Sequence, residues 1–302
     1  MRKTTQLKEL LNAKEILIMP GAYDALSAKL IEHTGFQATQ ATGYGIAATI
    51  LGKPDIGILS MGQMLEQTRN IIQSVNIPVM ADGDNGFGNA VNVYHTVQYF
   101  EQAGAAGINL EDQVFPKRCG HLNGKQVIPE KEMILKVKAA VEAKKDPDFI
   151  INARTDAIAQ YGVEEAVKRG NAYAEAGADI IFVDAPESID QIKYVIDHIN
   201  APVSINMTEG GKTPIITVDE LEALGAVRVS FPVTTVLSAA RAMKETLLHL
   251  QEFRRTTDIK EKFMDFHDFT GLLGMEKIRE IERKYLPEEI LLDKYGLEAN
   301  RK

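Results

Sequence analysis

The chain has 302 residues, of which 45% are hydrophobic, with 42 acids against 34 bases for a net charge of −8. The acid excess excludes a general nucleic-acid binder, which needs a basic face to displace counterions from phosphates. Ordinary apolar and charged fractions exclude extended disorder. One cysteine forms no internal disulfide, and no run approaches the roughly 18 apolar residues of a membrane span. The N-terminal segment lacks the apolar core of a secretory signal. A cytoplasmic protein with no membrane and no nucleic-acid partner is expected.

In chain order, short apolar runs predict strands at Glu15–Gly21, Ala38–Tyr44, Ile77–Asp84, Gly107–Gln113, Phe149–Asp156, Asp179–Asp184, Pro202–Asn206 and Val227–Phe231. Most are continuous rather than alternating, the pattern of parallel strands covered on both faces. Between them, apolar spacings of three and four predict helices at Ala25–Thr34, Met61–Val75, Ala90–Ala103, Glu130–Ala143, Val163–Ala176, Ile189–Ile199 and Val218–Leu224. Gly104, Gly177 and Gly225 fall just after helices, where a left-handed residue is wanted.

Eight strand-helix pairs predict an α/β chain folded as a (β/α)8 barrel, with Val236–Phe253 as the eighth helix. The competing fold, an open doubly wound sheet, wants a glycine-rich phosphate turn after the first strand, and PGAYDA is not one. The expected organisation is a catalytic barrel over residues 1–253 and a helical extension over 254–302. The aromatic residues of that extension predict that it docks on the barrel or on a neighbouring subunit.

Barrel enzymes place their sites at the C-terminal ends of the strands. Those positions hold Thr42-Gly43-Tyr44, Asp82-Gly83-Asp84, Glu111-Asp112, Arg154, Asp184 and Asn206. Residues two apart on a strand point to the same side, so Asp82 and Asp84 can face one point, with Glu111 joining from the next strand. Carboxylates so close repel unless a proton or cation sits among them. Hard oxygen ligands with few histidines favour Mg²⁺, or Mn²⁺, over zinc. The plainer alternative is a pair of Asx turns before the glycine loop. After the fourth strand, Lys117-Arg118-Cys119-Gly120-His121 lies in a segment of lid-like length. Lone cysteines are more often inert buried groups, but basic neighbours favour the thiolate. Nucleophile and general acid both remain open for Cys119.

These segments also resemble a known family. PGAYDALSA, ATGYGIAATILGKPDIG, ADGDNGFGNAVNV, NLEDQVFPKRCGHLNGKQVIP, NARTDA and NMTEGGKTP are similar to the isocitrate lyase/phosphoenolpyruvate mutase superfamily from about Pro20 to Phe253. KRCGH resembles the carbon–carbon lyases within it, and EGGKTP resembles the dimethylmalate lyases rather than the methylisocitrate lyases. The resemblance implies a barrel that swaps its eighth helix between subunits, in a homotetramer built as a dimer of dimers. It implies Mg²⁺ at Asp82, Asp84 and Glu111, largely through water. Catalytic roles fall on Cys119, Arg154, Tyr44 and Asp184. Substrate contacts fall on Thr42, Gly43, Tyr44, Asp55, Lys117, Gly120, His121, Arg154, Asn206 and Glu209.

The implied activity is Mg²⁺-dependent cleavage of a 2-hydroxy dicarboxylate of the 2,3-dialkylmalate type into a 2-oxo acid and a carboxylic acid. Methylisocitrate lyase is the alternative. An oxaloacetate hydrolase, a phosphonomutase and a non-catalytic dicarboxylate-binding barrel are further ones. Two departures from the family pattern stand out: Asn85 replaces a usual Thr, and Asp184 replaces a usual Glu, which puts its reach towards Arg154 in question.

Overall fold

A computed structural model describes residues 1–120 and 124–295. Eight parallel strands close into a barrel in chain order: β1 (Leu17–Ala22), β2 (Thr39–Ala41), β3 (Val79–Asp82), β4 (Gly107–Glu111), β5 (Ile150–Thr155), β6 (Ile180–Val183), β7 (Val203–Asn206) and β8 (Arg228–Phe231). β8 returns to pair with β1, so Leu17 stands opposite Arg228. The helices among the described residues are α1 (Lys3–Leu11), α2 (Ala25–His33), α3 (Gly43–Leu51), α4 (Met61–Ser74), α5 (Ala90–Gln102), α6 (Glu130–Ala143), α7 (Ile158–Glu175), α8 (Ile189–His198), α9 (Val218–Leu224), α10 (Thr234–Phe253), α11 (Phe266–Leu272), α12 (Met275–Tyr285) and α13 (Glu288–Tyr295). This is the (β/α)8 barrel expected, with further helices after it. Two compact units divide the chain, Met1–Ala242 and a second beginning at Met243. None of the helices among the described residues is long and apolar enough to cross a membrane.

Local chemistry sets the helix ends. Asp24, Ser60, Asn89 and Thr217 each cap a helix through a reciprocal box with the residue three positions on. Gly225 ends α9 at φ 98°, the left-handed conformation its lack of a Cβ permits. Several elements differ from the periodicity. β2 stops at Ala41 because Gly43 opens α3, its N–H donating to Asp82 Oδ2 at 2.9 Å. α7 starts at Ile158 rather than Val163 because a short turn joins it across Gly162, whose φ of 84° breaks the apolar spacing. α1 precedes the first strand, and its weakly apolar sequence gave little periodic signal.

Two apolar clusters hold the barrel. The larger lies between strands and surrounding helices and includes Ile108, Phe149, Ile181 and Val229. The smaller fills the N-terminal end of the barrel, where Leu7 and Leu11 of α1 pack with Leu17, Met19, Met80 and Ile150. Arg2, Lys8 and Thr5 anchor α1 through Asp148. With one end plugged mainly by apolar side chains, the strand C-termini open on the other.

Candidate active site

A polar cavity of about 60 Å³ sits at that open end, and most of the sequence-predicted residues line it. Thr42, Gly43, Tyr44, Asp55, Asp82, Glu111, Lys117, Cys119, Gly120, Arg154, Asp184 and Asn206 all face it. A second cavity of about 40 Å³, deeper among the strands, brings Asp84 together with Asp82, Glu111 and Arg154. Glu209 is not among the lining residues. It lies exposed on the loop after β7, where the Thr234 hydroxyl donates to its carboxylate. His121 lies outside the described residues.

The acids after β3 are not strand neighbours on one face. The strand ends at Asp82, and Asp84 follows at φ 44° in the left-handed region. Asp82 Oδ1 accepts from the Asp84 N–H at 3.0 Å, an Asx turn, while its Oδ2 accepts from Gly43. A Cβ on Gly43 would lie 2.6 Å from Asp82 Oδ2, so glycine is required for this close approach. Asn85 is buried and closes the next turn, accepting from Phe87 N–H at 3.1 Å. Asx turns form here, and they carry the carboxylates into the barrel mouth.

Charge is concentrated here out of water. Lys117 Nζ lies 2.7 Å from both Asp55 Oδ2 and Asp84 Oδ1, with its side chain 5% exposed. Lys117 thus bridges the two acids, and it is the cation that meets Asp84 Oδ1. Glu111 Oε1 and Asp184 Oδ1 are buried without a donor. Burial, reinforced by Asp82 and Asp55, pushes Asp84 up to about 7 against the pull of Lys117. Burial also raises Glu111 well above the usual carboxylate range, despite Arg154 and Lys117 nearby. For Lys117 burial works against the charge, but Asp84, Asp55 and Glu111 outweigh it and hold the ammonium protonated. Buried carboxylates with raised affinity for protons are undercompensated. Among the described residues, no three acidic, His or Cys side chains converge closely enough to enclose an ion alone.

Arg154, opposite Glu111 across the β4–β5 ladder, is held by a second set of acids. Its Nε and Nη2 donate to Asp156 at 2.8 and 2.9 Å, its Nη2 lies 3.1 Å from Asp184, and Nε is 3.5 Å from Glu111. The shorter Asp184 side chain thus reaches the guanidinium. Burial opposes the Arg154 charge, but Asp156, Asp184 and Glu111 outweigh it. Lys125 Nζ completes the set, 2.9 Å from Asp156 and 3.3 Å from Asp184. Below it, Asp112 accepts from Thr155, Tyr173 and Arg169 and from the Asp156 N–H, fixing the backbone that carries these groups.

The segment after β4 is fastened over the cavity. Val114 N–H donates to Gln126 O at 2.8 Å, and the Gln113 side chain both donates to and accepts from the Arg118 backbone. Cys119 N–H donates to Asp55 O at 3.0 Å, which places its half-buried side chain in the cavity wall. Gly120 rests on the floor: a Cβ there would fall 1.7 Å from Asp184 Oδ2 and 2.4 Å from Arg154 Nη2.

Sequence reasoning missed Lys125, Asp156 and Thr208. Asp156 stands two residues beyond Arg154, and that pairing was the available signal. Lys125 reads as one more surface lysine in a polar loop, and nothing local marks its burial. Thr208, with a buried hydroxyl lacking a donor or acceptor partner, also lines the cavity.

A closed eight-stranded barrel with buried acids, a guanidinium and a thiol around one polar cavity defines a small-acid enzyme of the barrel class. The chain matches the family described as phosphoenolpyruvate phosphomutase over residues 7–251, and it belongs to that family. It is 44% identical over 285 residues to the 2,3-dimethylmalate lyase of Eubacterium barkeri, covering 94% of this chain and 99% of that protein. The 2-methylisocitrate lyase of Aeropyrum pernix is 41% identical, covering 94% and 92%. Among solved structures, a phosphonopyruvate hydrolase complex with oxalate and Mg²⁺ superposes with a TM-score of 0.87 at 32% identity, covering 95% of this chain and all of that one.

Proposed function

We propose that this protein is a divalent-cation-dependent carbon–carbon lyase that cleaves a 2-hydroxy dicarboxylate of the 2,3-dialkylmalate type. The observation that carries it is the convergence of Cys119, Arg154, Asp82 and Glu111 on one small polar cavity. The likeness to a 2,3-dimethylmalate lyase supports the substrate class.

Asp82, Asp84 and Glu111 would hold the cation, largely through water, and the incomplete compensation of the buried Glu111 and Asp84 carboxyls fits it. Mg²⁺ suits these oxygen donors, with Mn²⁺ as a substitute, and the Mg²⁺ complex of the phosphonopyruvate hydrolase supports that choice. When bound, the cation polarises the oxygens of the 2-hydroxy acid.

The protein side chains do the rest. Arg154, fixed by Asp156 and Asp184, places positive charge where the hydroxyl oxygen becomes anionic. Tyr44 and the backbone at Thr42 and Gly43 line the wall that this hydroxyl meets, and Asn206 faces it from β7. As the hydroxyl passes its proton to Tyr44, which acts as the phenolate base, C2 becomes a carbonyl, the C2–C3 bond breaks, and its electron pair passes to C3 and the adjoining carboxylate. Cys119 then donates its thiol proton to C3, releasing the carboxylic acid beside the 2-oxo acid. Lys117, paired with Asp55, holds this segment against the acid cluster and keeps water from the carbanion.

The relative from Aeropyrum pernix favours methylisocitrate as the second substrate, by the same cleavage. Proton NMR, with carbon-13 NMR for the proton-free oxalate, after incubation with Mg²⁺ and each acid separately decides among readings. Dimethylmalate should give pyruvate and propionate, and methylisocitrate would give pyruvate and succinate. Oxalate and acetate from oxaloacetate would mark a hydrolase, and silence on every acid would reject the lyase.

We further propose a homotetramer of helix-swapped dimers located in the cytoplasm. An apolar groove of about 690 Å³ between α2 and the start of α10, lined by Leu30, Ile31, Phe36 and Phe231, supports the assembly. Exposed Leu247, Leu248 and Leu250 later on α10 support it as well. Light scattering at micromolar concentration should read about four chain masses, and a monomer would overturn it.

A further inference from the structure

Lys125 belongs to the segment that follows the cysteine, yet its ammonium lies inside the barrel mouth with the side chain 1% exposed. It does not line the cavity, so it has no part in the chemistry above. What it touches are the two carboxylates that orient Arg154. Asp156 Oδ1 accepts from Lys125 Nζ and from Arg154 Nη2, each at 2.9 Å. Asp184 Oδ2 stands 3.3 Å from Lys125 Nζ and 3.1 Å from Arg154 Nη2. Two cations and two carboxylates thus alternate around a closed ring.

Physical chemistry says what such a ring does. A single guanidinium facing two buried carboxylates would be pulled between them, with one carboxylate left undercompensated. The second cation shares both, so neither carboxylate is free to draw Arg154 away from the cavity. The same ammonium joins the return arm of the segment to the barrel floor, and Val114 N–H bonded to Gln126 O ties that arm to the cysteine-bearing one. Gly120, seated on Asp184 and Arg154, closes the connection from the other side.

We propose that Lys125 is a positioning residue, whose buried ion pairs to Asp156 and Asp184 fix the direction of Arg154 and the seat of the Cys119 segment together. The kinetic consequence rests on the lyase reading; the seating consequence does not. A misdirected Arg154 weakens stabilisation of developing charge more than substrate binding, so kcat falls while KM changes little.

The test compares wild type, Lys125→Met and Lys125→Arg, with Lys125→Gln replacing the Met variant if that one does not fold. Turnover of dimethylmalate with Mg²⁺ should drop roughly 100-fold in kcat for Lys125→Met, the scale of a misplaced catalytic group, and Lys125→Arg should recover most of it. Independently of any substrate, iodoacetamide labels the single cysteine, and its plateau rate at high pH reads access rather than ionisation. That rate should rise about tenfold in Lys125→Met, as local opening becomes easier, and return towards wild type in Lys125→Arg. An unchanged kcat, an unchanged labelling rate, or an arginine variant no better than methionine overturns the proposal. If wild type turns over no diacid, the lyase reading falls and the labelling arm still decides the role of Lys125.

Discussion

The two ends of this barrel are built from opposite materials. At the N-terminal end, Leu7 and Leu11 of α1 meet Leu17, Met19, Met80 and Ile150 in a mainly apolar plug, with Asp148 at its rim and one buried cation, Arg228, donating to Gln40 and Ser204 beside Met19. At the C-terminal end, Asp55, Asp84, Glu111, Asp156 and Asp184 are all buried, matched incompletely by Lys117, Lys125 and Arg154. Burying apolar surface stabilises without regard to direction. Burying charge costs stability unless every group is compensated, and here Glu111 Oε1 and Asp184 Oδ1 are not. Apolar burial at the plugged end offsets what the buried charges of the open end cost.

That contrast breaks most sharply at the open end. Arg154→Met should lower turnover by roughly 10³-fold, the upper range for removing one charge-stabilising donor. Cys119→Ser should lower it by about 100-fold or more while leaving Mg²⁺ binding intact, the range for a general acid. Both are read by steady-state kinetics and calorimetric titration. Near-wild-type rates in Cys119→Ser would remove the thiol from the mechanism.

Next comes pH. In the folded chain without a divalent cation, Asp84 keeps its proton up to about pH 7, whereas in the unfolded chain it ionises near its ordinary value of 3.8. Between those values the folded state binds more protons, so stability contributed by this group falls as pH rises through the window. Glu111 shifts in the same direction. Thermal melts without metal should therefore show Asp84→Asn gaining on wild type as pH rises from 4 to about 7. Added Mg²⁺ should stabilise wild type more at pH 8 than at about pH 6, since ligands must shed protons to bind metal. A Mg²⁺ effect independent of pH would contradict the assignment.

The plugged end should answer differently. Leu7→Ala should cost about 3 kcal/mol in denaturant unfolding through the cavity it leaves, with turnover per folded molecule unchanged. The smallest effect belongs to the periphery. Thr217→Ala removes the hydroxyl that accepts from Glu220 N–H at the start of α9, for about 1 kcal/mol. A loss of turnover in Leu7→Ala would show that the two ends are coupled.

Legibility followed the same division. Strand and helix periodicity reported burial, so the barrel could be read from apolar runs such as β6, with all four residues buried. The strand-end acids were legible because an apolar strand finishing in a charge is locally anomalous. Three features escaped because their causes are not local. Asp84 leaves the strand through a left-handed residue that alternation does not encode. Lys125 is buried only because β5 and β6 bring Asp156 and Asp184 to it. α1 owes its place to the far ends of β1, β3 and β5, which no window along its own sequence contains. Glu209, read as a contact from its motif, lies on an exposed loop outside the cavity wall.

Crystals grown with Mg²⁺ and oxalate put the central claim to its most direct test. The ion is expected among Asp82, Asp84 and Glu111, the oxalate against Arg154, and the Cys119 sulfur facing the bound acid. An ion bound elsewhere, or a sulfur turned away from an oxalate that is bound, would contradict it.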